Sequence, residues 1–319
     1  MNETRSRYGS VTKGLLLALV VAGGALTGAG CAGGDAGSAD ETADSSATGG
    51  SQSTANGSAS AANKKTSSSA STTTAQDTGA AATAPTATTA SAPAAHRTGS
   101  IVPLYTQPTH PSWAAVIAAK KAHPSVPVIA VVNPNSGPGT AARSDYMNGI
   151  GQLAAAGVKV GGYVSTEYGK RPVAEVKADV DRWRNLYPQV SAIFFDEMAY
   201  QPGAEAHYTG LNSYAKGTGI DFTIGNPGVD TKPGYVGTVD TILIYESAGL
   251  PSAEALAGWH ASHPRENFGI IPYGVHSLDA AFVAAAKARC GYVFVQNDVM
   301  PNPWDSLPPY FDALLAALA

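Results

Sequence analysis

The sequence predicts an α/β fold: a single (β/α)8 barrel of the TIM type over residues 98–319, preceded by a signal segment (1–31) and a disordered tether (32–97). Three observations lead there. From residue 98 onward, short apolar β-prone runs alternate with stretches of helical periodicity, and such alternation argues for a parallel sheet. Eight of these runs can be read, which argues for closure into a barrel. No Gly-x-Gly-x-x-Gly turn follows the first run, so nothing favours an open dinucleotide-binding sheet.

The two leading segments follow from composition. Arg5, Arg7 and Lys13 make a positive start, and residues 14–26 are an apolar run too short for a comfortable membrane span. The run leads to Gly28-Ala29-Gly30-Cys31, which resembles a bacterial lipobox, although Gly28 stands where leucine is usual. The reading taken is a cell-surface lipoprotein held to the membrane through an acylated Cys31; ordinary secretion with Cys31 removed is the alternative. Both place the barrel outside the cytoplasm. Residues 32–97 are Ala, Ser, Thr and Gly with almost no large apolar side chain, too little to offset the entropy of ordering. As a flexible tether they would reach roughly 45 Å.

Within the barrel, strand one is expected over 101–105, and Trp113, Val116 and Ile117 mark the helical face after it. Strand two spans 126–134, followed by Tyr146, Ile150, Leu153 and Gly157 at helical spacing. Strand three covers 159–166. Val173, Val176, Val180 and Trp183 then recur at steps of three, four and three, with Pro172 in the first turn and Pro188 past the end. Strand four is 192–197, an apolar run that ends abruptly in Asp196-Glu197. A weaker helix at 204–216 leads to strand five at 221–228, after which a helix is barely visible. Strand six is 241–247, and Ser252 caps a helix running to Trp259. Strand seven (267–275), a helix (278–289) and strand eight (292–298) follow. Leu307, Tyr310, Phe311, Leu314, Leu315 and Leu318 form the closing helix.

Several chemistries are disfavoured. The net charge is −4 with 20 Lys+Arg, so there is no basic footprint for nucleic acid. With Cys31 acylated, Cys290 has no partner and is expected as a small buried hydrophobe. His260-x-x-His263 has no carboxylate at metal spacing, and no phosphate loop or Gly-x-Ser-x-Gly elbow is present. Neither a metal nor another cofactor is expected, and the chain is read as a monomer.

In such barrels ligands meet the carboxyl ends of the strands. Asp221 and Asp240 precede strands five and six, so they belong to the opposite rim as structural acids. The positions that pass are Tyr105, Asn133, Tyr163, Thr166, Asp196, Glu197, Asn226, Tyr245, Glu246, Tyr273, Gln296 and Asp298. Two carboxylates across a cleft are what glycoside hydrolysis needs, one protonated and one ionised. Asp196 and Glu197 are consecutive and point in opposite directions in a regular strand. The reacting pair is therefore one of them with Glu246: Asp196 as nucleophile, Glu246 as general acid/base and Glu197 in support. Against this stand an exposed Asp196-Glu197 pair that merely caps the next helix, and a Glu246 that is only a solvated loop acid.

Around the acids, Asn133 in its Gly/Pro loop is placed to bond a sugar hydroxyl. Tyr105, Tyr163, Tyr168, Tyr245, Tyr273 and Trp304 either stack on sugar faces or pack in the core. Arg171 either binds substrate or holds a carboxylate.

Three spaced motifs carry a resemblance. Asn133-Pro134-Asn135-Ser136-Gly137-Pro138-Gly139, the run from Gly162 through Tyr163, Thr166 and Tyr168 to Arg171, and Ile193-Phe194-Phe195-Asp196-Glu197 resemble the spherulin-4 (spherulation-specific family 4) family. That family is associated with glycoside hydrolase family 135. The likeness extends to Asn226-Pro227-Gly228 and Tyr245-Glu246. It implies a (β/α)8 fold, endo-α-1,4-N-acetylgalactosaminidase activity on galactosamine-containing exopolysaccharide, and catalytic roles for Asp196, Glu197 and Glu246. A non-catalytic carbohydrate-binding or structural surface protein is the alternative.

Overall fold

The computed structural model describes residues 97–319. The signal segment with Cys31, and the tether up to residue 96, lie outside the described residues.

Eight strands form one parallel sheet in sequence order: β1 (Ser100–Leu104), β2 (Val128–Val132), β3 (Lys159–Ser165), β4 (Val190–Asp196), β5 (Phe222–Asn226), β6 (Thr241–Tyr245), β7 (Phe268–Ile270) and β8 (Tyr292–Val293). The sheet returns on itself through a parallel bridge between Gly99 and Tyr292. There the Gly99 N–H donates to Gly291 O (2.8 Å) and the Val293 N–H to Gly99 O (2.9 Å). Around it lie α1 (Pro111–Ala122), α2 (Ser144–Ala155), α3 (Val173–Leu186), α4 (Glu205–Gly217), α5 (Ala253–Ala257), α6 (Ala280–Lys287) and α7 (Phe311–Leu318).

Strands buried on both faces explain the unbroken apolar runs: all of Val128–Val132 is buried. The outward face of β3 shows how tightly the helices lie on it. A Cβ on Gly162 would sit 2.5 Å from the Trp183 indole of α3, so only glycine fits, and the indole N–H donates to Tyr163 O (2.9 Å). Ser252 caps α5 by accepting from the Ala255 N–H (3.2 Å), and Asp279 caps α6 from the Phe282 N–H (2.9 Å). Cys290 is fully buried.

The amino-end rim holds its acids in ion pairs. Lys159 meets Asp221 at 2.5 Å, and Lys216 meets Asp240 at 2.5 Å. Asp240 also accepts from the Thr223 N–H (2.7 Å).

The observed elements depart from the sequence expectation in three places. No α-helix joins β5 to β6. A single 3-10 turn, Pro233–Tyr235, stands there, with Tyr235 fully buried and its hydroxyl donating to Gln201 O (2.6 Å). Strands seven and eight are shorter than their apolar runs. Pro272 has no N–H, so beyond Ile270 the extended chain pairs only at intervals: Tyr273 N–H with Ser247 O (3.1 Å), and Gln296 N–H with Pro272 O (2.9 Å). Two strands also carry an extra residue. Gly161 pairs with Ala192 after Val160 pairs with Val190, and Tyr245 pairs with Ile270 after Leu243 pairs with Gly269, leaving Ser191 and Ile244 as bulges.

Candidate active site

Strand alternation brings Pro103, Val131 and Gly161 to the barrel interior in one register row, and two residues on, Tyr105, Asn133 and Tyr163 at the mouth. Tyr163 meets Tyr105 edge-on at 5.8 Å and stacks on Phe194 at 6.3 Å. One more step brings Ser165, Asp196 and Asn226 together at the ends of β3, β4 and β5, where they are paired in register.

Glu246 reaches the same place because of the bulge. Leu243 faces inward; without the extra residue at Ile244, Tyr245 would also face inward and Glu246 would point away. The bulge reverses that parity. The Asn226 amide nitrogen then donates to both acids, to Asp196 Oδ1 at 2.8 Å and to Glu246 Oε2 at 2.7 Å. Two oxygens bonded to one nitrogen at those lengths lie no more than about 5.5 Å apart. The Asn226 carbonyl oxygen accepts from the Gly228 N–H (3.2 Å), which fixes the amide's orientation.

Glu197 also turns to the mouth, against the expectation from alternation. Its backbone is left-handed (φ 51°), so the strand ends there, and its carboxylate accepts from Ser165 Oγ at 2.6 Å. The unusual turn is held from both sides. Thr166 Oγ1 donates to the carbonyls of Asp196 (3.0 Å) and Glu197 (2.8 Å) and pairs with the Tyr208 hydroxyl (2.9 Å). The Tyr168 N–H donates to Glu197 O (2.6 Å), and the Tyr208 hydroxyl accepts from the Ala199 N–H (2.8 Å).

Asp196, Glu197 and Glu246 are all half-buried, open enough for a ligand yet largely out of water. Burial pushes the Asp196 carboxyl up to about 6, with the Glu197 charge adding to it. Hydrogen bonds from Tyr163, the Glu197 N–H and Asn226 hold it back. Burial pushes Glu246 up to about 7, and the Asp196 charge adds to that; Asn226 and the Trp304 side chain donate to it and oppose the rise. An ionised Asp196 thus keeps Glu246 protonated. Only neutral donors, and no cation, oppose the effect of burial on this pair, so both carboxyls stay raised.

The other expected site residues divide. Tyr105, Tyr163 and Tyr273 stand at the acids: burial raises each hydroxyl's pKa, and the charge of Glu246 raises it further, with Asp196 also acting on Tyr105 and Tyr163. Tyr168 is 42% exposed beside Glu197. Asn133 is half-buried and its carboxamide oxygen accepts from the Gly137 N–H (2.8 Å), so that oxygen is taken by its own loop.

Others turn out to be braces. Thr166 and Gln296, expected at the substrate, are fully buried. Thr166 holds the Glu197 turn, and Gln296 bonds Ser306 O (3.0 Å) and the Asn297 N–H (2.8 Å). Arg171 is committed to Asp179 (2.6 Å) and Ser165 O (3.0 Å), which resolves its two uses in favour of holding a carboxylate. Trp304 is 5% exposed against Tyr273 and Phe294, so its ring is no sugar platform. Tyr245 faces outward and its hydroxyl donates to Gly249 O (3.2 Å). Asp298 accepts from Ser306 Oγ (2.7 Å) and the Val299 N–H (2.9 Å), bonds that lower its pKa while it secures the β8 loop. Among the residues sequence reasoning passed over, Ser165 and Tyr208 build the Glu197 turn, and a hydroxyl at a strand's end was the available signal for the first. His260 bonds Asp230 (2.9 Å) on the outer side of the barrel.

A family model described as spherulation-specific family 4 matches residues 100–318. The chain belongs to that family. The three motifs singled out in the sequence fall where the geometry converges: the loop after β2, the turn after β3 and the end of β4. Spherulin-4 from Physarum polycephalum is 37% identical over 161 residues, covering 50% of this chain and 48% of the relative. The chain thus spans about half the length of that curated relative. Among solved structures, Aspergillus clavatus Sph3 in complex with GalNAc shares the barrel, with a TM-score of 0.62 and 24% identity over 70% of this chain and 98% of its own.

Proposed function

We propose that this spherulation-specific family 4 chain is a secreted, endo-acting glycoside hydrolase that cleaves a galactosamine-containing exopolysaccharide, as an endo-α-1,4-N-acetylgalactosaminidase, with retention of configuration. The observation that carries the reading is the single Asn226 nitrogen bonded to Asp196 and Glu246. Their bonded oxygens lie no more than about 5.5 Å apart, which supports the close pair of retaining enzymes, roughly 5–5.5 Å, over the wider pair of inverting ones, about 6.5–9.5 Å.

In this mechanism ionised Asp196 attacks the anomeric carbon while protonated Glu246 gives its proton to the departing oxygen. Glu246, now ionised, takes a proton from water; the water oxygen displaces Asp196 from the sugar and restores both groups. Glu197, fixed by Ser165, adds negative charge beside a positive transition state and helps keep a proton in the cluster. Substrate class rests on family membership and on the GalNAc bound by Sph3. Three carboxylates at one mouth would also favour a partly deacetylated, cationic chain. The proposed location is the cell surface, with a monomeric barrel tethered through an acylated Cys31.

The test is incubation of the protein with an α-1,4-linked N-acetylgalactosamine polymer and mass spectrometry of the products, with Asp196→Asn alongside. Oligosaccharides from the wild type alone are expected. Binding without products would turn the assignment to a carbohydrate-binding protein, and neither binding nor products would remove this substrate.

A further inference from the structure

On the β3–β4 side of the acids, two large aromatic side chains stand out in solvent. Tyr168 is 42% exposed and Tyr200 37% exposed, in a molecule whose other tyrosines are largely packed away among the described residues. They lie on different loops that are pressed together: a Cβ on Gly169 would stand 3.9 Å from the Ala199 Cβ, one residue from each tyrosine. Burial raises the Tyr168 hydroxyl's pKa, with the charges of Glu197 and Asp196 and the Tyr200 phenol adding to it, which agrees with one shared edge.

The backbone that holds Tyr168 out is costly. Glu167 (φ 49°) and Tyr168 (φ 55°) are both left-handed, as is Glu197 (φ 51°), conformations that side chains other than glycine seldom adopt. Packing does not demand this of Tyr168, since much of its ring is in water. The turn is fixed instead to the end of β4, through the Tyr168 N–H on Glu197 O at 2.6 Å, the Thr166 N–H on Asp196 O at 2.9 Å and Thr166 Oγ1 on the carbonyls of Asp196 (3.0 Å) and Glu197 (2.8 Å). An exposed aromatic carried on a backbone fixed beside the acids is suited to the apolar face of a sugar ring.

We propose that Tyr168 and Tyr200 form a stacking platform for a sugar unit bound beyond those flanking the cleaved bond, on the β3–β4 side of Asp196, so that the enzyme gains rate from longer chains. This rests on the glycosidase reading above and names how that site selects polymer over short oligomers. Tyr168→Ala is expected to lower kcat/KM about tenfold on a long α-1,4-linked N-acetylgalactosamine chain, mostly through KM, and to lower it less on the shortest oligomer that is cleaved. Tyr168→Phe, which keeps the ring, restores the long-chain preference. Tyr200→Ala acts in the same direction, and the melting temperature of each variant stays at the wild-type value.

Equal losses at every chain length, or no loss, would overturn the platform while leaving the hydrolase standing. If the wild type makes no products, the same variants are read by calorimetric binding of the oligomers to Asp196→Asn. Affinity that weakens with Tyr168→Ala and returns with Tyr168→Phe keeps the platform although the hydrolase reading has failed. Affinity unchanged by Tyr168→Ala, or no binding at all, removes the platform as a sugar site.

Discussion

The two rims of the barrel use the same residue types for opposite ends. At the amino ends of the strands, Asp221 and Asp240 each face a lysine, Lys159 and Lys216, at 2.5 Å. At the carboxyl ends, Asp196, Glu197 and Glu246 are met by Asn226, Ser165, Tyr163 and Trp304, all neutral. The arginine of that rim, Arg171, is turned away onto Asp179. A carboxylate that faces a lysine is held in an ion pair; Asp196 and Glu246, taken out of water and met only by neutral donors, have their pKa values raised by burial. What distinguishes the acids proposed as catalytic from the structural ones is their company.

The contrast is sharpest in activity. Asp196→Asn should lower kcat by about a thousandfold or more, and Glu246→Gln by about 10²–10⁴-fold, measured as product formed from the polymer. Asp240→Asn at the other rim should leave kcat at the wild-type level. An active Asp196→Asn, or an inactive but folded Asp240→Asn, would break the comparison. The pH profile sharpens it further. Asp196 must be ionised and Glu246 protonated, so kcat/KM should rise through about pH 6 and fall through about pH 7. In whatever activity Glu246→Gln retains, the alkaline limb should vanish.

Stability should separate the rims in sign. The folded carboxyls of Asp196 and Glu246 are raised above their unfolded values, so the native state binds more protons. The stability they confer is full below about pH 4 and is lost as pH rises through about 6 and 7. Asp196→Asn should therefore match the wild type at pH 4 and exceed it by about 2 kcal/mol at pH 8, in denaturant titrations. Asp240→Asn should instead lose about 1–3 kcal/mol near neutrality, because it disturbs bonds to the Thr223 N–H (2.7 Å), Thr223 Oγ1 (3.1 Å) and Lys216. The smallest effect belongs to Lys159→Met. Its partner Asp221 is 59% exposed, and an exposed pair of that kind is worth less than about 1 kcal/mol.

The fold was legible because its signals are collective. Eight apolar runs separated by helical periodicity do not depend on any one residue, and each run overlaps an observed strand. Position at a strand's carboxyl end likewise marked Asp196, Asn226 and Glu246. What the sequence hid is which way a side chain turns there. Tyr163 lies near the end of β3 and Thr166 just past it, but the Thr166 hydroxyl is drawn into the backbone of the Glu197 turn and the Tyr163 hydroxyl into the site. Alternation would have sent Glu197 away from Asp196 and Tyr245 inward. A left-handed residue and a one-residue bulge reversed both, and neither leaves a mark in composition. The helix missing between β5 and β6 was only faintly signalled, and there the structure relies on buried Tyr235 instead.

The shared nitrogen of Asn226 has a wider consequence. The stereochemical outcome of the proposed reaction depends on the distance between two acids on strands four and six, yet that distance is set by an amide on strand five that forms and breaks no bond. On the proposed reading, the loops around the mouth could diverge, and with them the range of sugars accepted, while the configuration of the product stayed the same. In such a lineage, change of substrate and change of stereochemistry would be separate evolutionary events, written at different positions of the chain.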